Sequence, residues 1–60
     1  MNTPLHRASW NGHTDAVRLL IEHGADINEK DKYGWTPFDK ALRNDHIDAI
    51  QLLKDHGAKE

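Results

Sequence analysis

The stretch TPLHRASWNGHTDAVRLLIEHGA, residues 3–25, returns 33 residues later as TPFDKALRNDHIDAIQLLKDHGA, residues 36–58. Twelve of the 23 aligned positions are identical, far more than chance supplies. They include Thr3/Thr36, Pro4/Pro37, Ala8/Ala41, Asn11/Asn44, His13/His46, Leu19/Leu52, Leu20/Leu53 and Gly24/Gly57. Leu5/Phe38 and Val17/Ile50 keep apolar character without identity. A period of this length marks stacked supersecondary units, each of which buries its apolar face against its neighbour.

Each unit reads as two short helices. Thr3-Pro4 and Thr36-Pro37 predict helix starts, with Thr as the cap and Pro at the first helical position, where its missing N–H costs nothing. The first helix of each pair ends near Asn11-Gly12 or Asn44-Asp45, residues that accept a left-handed backbone. A second helix follows over about 14–23 and 47–56, stopped by Gly24 and Gly57. In it Ala16, Val17, Leu19 and Leu20 form the apolar side and leave Asp15, Arg18 and Glu22 for the other. The polar segment 25–35, with its Asp31-Lys32-Tyr33-Gly34 turn signature, predicts an extended, turn-containing finger between the units.

Thr3-Pro4-Leu5-His6, Asn11-Gly12-His13 and the run from Leu19 to Asn28 together resemble the ankyrin-repeat signature. Residues 36–58 are a similar but degenerate copy. The resemblance covers nearly the whole chain. It implies an all-α solenoid fragment of two helix–turn–helix units joined by a β-turn finger, with a concave surface that binds other proteins. The expected organisation is one domain, 1–60, with repeat 1 at 3–35 (finger 25–35) and repeat 2 at 36–60. Ile21 becomes Lys54 and His6 becomes Asp39 in the second copy, which reads as a C-terminal cap. Met1 is followed almost at once by Thr3, which sets the expectation of a first unit without a finger or a polar capping helix before it.

Composition narrows the function classes. Eight Lys plus Arg against ten Asp plus Glu give a net charge of -2, with no basic stripe for nucleic acid. The absence of cysteine removes disulfides and thiolate chemistry. The longest apolar run, Leu19-Leu20-Ile21, is far too short for a membrane span. These features, with no targeting segment in view, set the expectation of a cytoplasmic protein that binds neither nucleic acid nor membrane. Sixty residues make a thin core. Its candidate members are Leu5, Val17, Leu19, Leu20, Ile21 and Ile27, then Trp35, Phe38, Leu42, Ile47, Ile50, Leu52 and Leu53.

Five histidines raise a metal site, but no His-Glu-x-x-His motif or i, i+4 histidine pair is present. The resemblance implies instead that His6, His13 and His46 order the backbone through hydrogen bonds. The aspartates Asp15, Asp26, Asp31 and Asp48 suit helix starts and turns. Ser9 falls inside a helix, and no Gly-rich phosphate loop exists. The expectation is no enzyme activity, no cofactor and no metal.

Matched onto the ankyrin pattern, Lys32, Tyr33 and Trp35 fall on variable positions of the finger, and Trp10 and Arg43 on equivalent variable positions of the first helices. With Trp, Tyr and Arg dominating interface energetics, these five are the expected protein-binding residues. Packing over the finger is the competing role for Trp35, and covering helix ends that for Trp10. A second expectation is self-association through the uncapped face of the first repeat, on Leu5, Ala8, Val17 and Ile21, giving a homo-oligomer. A third is that the chain is an excerpt of a longer array.

Overall fold

Helix positions follow the punctuation of the sequence. A computed structural model describes residues 3–58; the ends of the expected domain, 1–2 and 59–60, lie outside the described residues. Four helices form: α1, Pro4–Asn11; α2, Thr14–Glu22; α3, Pro37–Arg43; and α4, Ile47–Asp55. Among the described residues there is no strand, and the finger runs through turns at Ile27-Asn28 and Lys32-Tyr33.

Both first helices open with a reciprocal cap. The Thr3 hydroxyl accepts the His6 N–H, and the His6 ring accepts the Thr3 N–H in return. In α3 the Thr36 hydroxyl accepts from Asp39 N–H while an Asp39 carboxylate oxygen accepts from Thr36 N–H. Each cap satisfies two backbone donors that a helix start leaves open. Gly12 ends α1 at φ 71, and Asp45 takes the equivalent left-handed place in the second unit at φ 55.

α1 packs on α2 and α3 on α4 within the repeats, while α1 meets α3 and α2 meets α4 across them. One buried cluster results: Leu5, Ala8 and Val17 with Phe38, Ala41, Ala49 and Leu53. Ala16, Leu20, Ile21, Ile27, Ile50 and Leu52 lie against its edge, half-buried. Three expected core residues are instead exposed: Leu19, Leu42 and Ile47, the last at 68 %. The periods explain them. Ser9, which Leu42 replaces one repeat on, is fully buried in the first unit, whereas Leu42 stands on the far side of the second, beside Arg43.

The expected self-association face needs the same correction. Leu5, Ala8 and Val17 are buried in the inter-repeat core and Ile21 is half-buried, so the four do not form an open surface. Their helical spacing marks an apolar stripe, and the second repeat already covers most of it. What the first repeat leaves open is a hollow of about 560 Å³ between Pro4, Arg7, Asn11, His13, Ala16 and Leu20, with Ala8 at its floor.

Candidate functional site

Trp10 lies in the last turn of α1 and is 43 % exposed, and the finger returns Trp35 to the same side of the molecule. Lys40, one turn into α3, joins them. Its ammonium lies 5.5 Å from the centre of the Trp10 ring and 4.9 Å from that of Trp35. The Arg43 guanidinium stacks on Trp35 at 4.4 Å, and Lys32 lies over Tyr33 at 5.2 Å. Each such contact is worth about 0.5–1 kcal/mol in partly exposed settings. The result is a row, Trp10–Lys40–Trp35–Arg43, with Tyr33, 72 % exposed, beside it.

Two hollows flank the row. One, of about 470 Å³, is lined by Tyr33, Gly34, Trp35, Asp39, Leu42 and Arg43. The other, of about 410 Å³, is lined by Arg7, Trp10, Asn11 and Lys40. Lys40 and Trp35 stand between them, so the pair reads as one groove along α1, α3 and the finger. Of the five expected binding residues, the structure brings together all five here. It leaves Trp35 half-buried and in contact with two cations, so packing and exposure both apply to it. Lys40 and Arg7 are additional members that the sequence reading missed. Their shared register in the two repeats, three residues before Trp10 and Arg43, is the signal that would have found them.

Asp31 sets the finger. Its Oδ1 accepts from Tyr33 N–H at 2.8 Å and Trp35 N–H at 2.9 Å, and its other oxygen lies 3.0 Å from Lys40 Nζ. Burial pushes this carboxyl up, but the Trp35 N–H, the Lys40 ammonium and the Tyr33 N–H outweigh it and hold the pKa at about 2, against 3.8 ordinarily. A carboxyl lowered in the folded state stabilises the fold above its unfolded pKa, and that contribution disappears as pH falls through the folded value. Asp31→Asn therefore lowers the melting temperature at neutral pH, and the gap from the parent chain closes between pH 4 and pH 2. Melting curves across that range check it; a gap unchanged with pH contradicts the assignment.

Histidines hold the scaffold behind the groove. His6 is fully buried, and its Nε2–H donates to the Trp35 carbonyl at 2.7 Å while Nδ1 accepts from Thr3. An acceptor on one side and a donor on the other fix the Nε2–H tautomer. His46 Nε2 donates to the Trp10 carbonyl at 2.9 Å, and Asn44 Nδ2 donates to the same oxygen at 2.7 Å. Both links terminate on the backbone of the groove tryptophans: His46 and Asn44 reach Trp10 across the repeats, and His6 ties α1 to the end of its own repeat's finger. Among the described residues, His13 makes no such side-chain bond. Among the described residues no group of three or more His, Asp or Glu could hold a metal ion, and no helix is long and apolar enough to cross a membrane.

This arrangement, paired helices at a 33-residue period with one histidine tied to the finger and another reaching across the repeats, defines a class of helical repeat protein. A family profile described as ankyrin repeats (many copies) matches residues 5–53, and the chain belongs to the ankyrin-repeat family. It is similar to ankyrin repeat domain-containing protein 49 of Bos taurus, 69 % identical over 26 residues, 43 % of this chain and 11 % of that protein. An ankyrin repeat protein of Rickettsia bellii is 50 % identical over 36 residues, 60 % of this chain and 15 % of its own length. Human protein phosphatase 1 regulatory subunit 27 is 47 % identical over 32 residues, 53 % of this chain and 21 % of its own. The chain thus spans a small part of these relatives' length. Ankyrin repeats are protein-interaction modules, and the family is generally non-enzymatic.

Proposed function

We propose that the chain is a non-enzymatic module that binds a protein partner through the groove formed by Trp10, Lys32, Tyr33, Trp35, Lys40 and Arg43. The observation that carries this reading is the stacked row Trp10–Lys40–Trp35–Arg43. Large planar side chains already held by cation contacts lose little freedom on binding, which is what an anchor residue needs. No catalytic step is assigned to the groove: its chemistry is stacking, charge and apolar contact. Repeat 1 (3–35) and repeat 2 (36–60) act together in it, since both contribute a first helix.

Trp10→Ala with Tyr33→Ala weakens capture of the partner from an extract by roughly tenfold or more, with helicity unchanged by circular dichroism. Equal loss of helicity would show these residues to be structural and sink the site assignment.

A second, compatible reading is self-association, or stacking on a further repeat, at the open end of repeat 1. The 560 Å³ hollow favours it, because its rim carries Asn11 and His13, the counterparts of the Asn44 and His46 that clasp Trp10. Light scattering that shows a monomer at every concentration removes the self-association form.

A further inference from the structure

The charge of the groove differs from that of the rest of the chain. Among the described residues, Arg7, Lys32, Lys40 and Arg43 of seven Lys and Arg stand on it or against it, whereas of nine Asp and Glu only Asp31 and Asp39 do. Both carboxylates are already engaged, Asp31 with Lys40 and the finger backbone, Asp39 with Thr36 N–H. The remaining described residues are net negative.

Three of the four cations have no carboxylate partner among the described residues: Arg7, Lys32 and Arg43. The ion pairs there are Arg18–Asp15 and Lys40–Asp31. Lys32 and Arg43 are held against aromatic faces, so their charges are oriented before any ligand arrives. Between them the hollow of about 470 Å³ offers Tyr33, Trp35 and Leu42 as apolar walls, a volume within the ~300–1,000 Å³ range of binding clefts.

We propose that the groove takes an acidic polypeptide segment carrying one apolar anchor side chain. The anchor enters the hollow of Tyr33, Trp35 and Leu42, one carboxylate pairs with Arg43, and others reach Lys32 and Arg7. Complementary charge at such sites steers encounter and rejects basic competitors. A nucleic acid strand would also meet stacking rings and cations here. It carries far denser charge, however, and three free cations on a chain of net charge -2 do not offset the repulsion. This inference rests on the groove being the binding face.

Panning a displayed library of random twelve-residue peptides against the full chain tests it. The expected winners are net negative and carry one Leu, Phe or Trp. Their affinity falls as salt rises, and falls roughly tenfold in Arg7→Gln with Arg43→Gln, both exposed positions whose change leaves helicity intact. Neutral or basic winners that are lost with Trp10→Ala overturn the acidic assignment while keeping the groove as the binding face. Acidic winners indifferent to the charge variant overturn it as well. So does displacement of the peptide by a twelve-nucleotide thymidine strand at equal concentration, which would make the groove a general polyanion site. If no peptide is enriched over an unrelated protein, the proposal falls, and the groove reading is then decided by the Trp10 and Tyr33 capture experiment alone.

Discussion

His6→Ala abolishes most of the helical signal at 25 °C. The imidazole is fully buried and spans two hydrogen-bonding partners, the Thr3 cap on one side and the Trp35 carbonyl on the other. Truncation leaves the Trp35 carbonyl one partner short and the α1 cap half-made, each at about 1–3 kcal/mol, and opens a cavity at a fully buried position. A loss of about 3–5 kcal/mol follows. A domain of this size holds only about 3–9 kcal/mol in total, so little folded protein remains. His6→Asn separates the two contributions. Its side-chain oxygen still accepts from Thr3, while its reach falls short of Trp35, so it keeps the cap and loses the link to the finger. Urea titrations followed by circular dichroism should rank parent, Asn and Ala variants in that order. A loss under about 1 kcal/mol for the alanine variant would mean the finger is held by something other than this bridge.

Gly12→Ala has the next largest effect, for two separable reasons. Gly12 sits at φ 71, where an alanine carries about 1–2 kcal/mol of strain. A Cβ there would also stand 2.5 Å from His46 Nδ1 and 2.7 Å from its Cγ, so the ring must move. Moving it withdraws Nε2 from the Trp10 carbonyl and loosens the clasp between the repeats. The combined loss is about 2–3 kcal/mol. A double-mutant cycle with His46→Ala isolates the clash: in that background Gly12→Ala should cost only the backbone strain. Full additivity would show that the two residues do not act on each other.

Most of the scaffold was legible because its signals are local. Thr-Pro and Asn-Gly mark helix ends through backbone chemistry, and the observed helices fall within a residue or so of the positions they imply. Repetition supplied the rest, since two copies of one unit must use equivalent faces. Which apolar stripe is covered was less legible. Leu5, Ala8 and Val17 have the spacing of an open face, yet the second repeat packs over them. Leu42 and Ile47 have the chemistry of a core, yet among the described residues no element covers them. Spacing names a stripe; only the neighbour decides its burial. In the groove, Trp10, Lys32, Tyr33, Trp35 and Arg43 were expected from their matched positions. Lys40 was missed because its partners are scattered along the chain, at Trp10, Asp31 and Trp35, and meet only in the fold. The buried Asp31–Lys40 pair is a property of the folded finger, and no short motif announces it.

The proposed docking face is the α1, α3 and finger side. Site-specific photo-cross-linking tests it with least interpretation. A benzophenone amino acid replaces Tyr33 in one variant and Leu19 in another, both exposed, the first on the groove and the second on α2. After irradiation in an extract, the expected result is a cross-linked protein band from position 33, removed by Trp10→Ala, and none from position 19. A band from position 19 with none from position 33 would contradict it and move the binding face to the second helices.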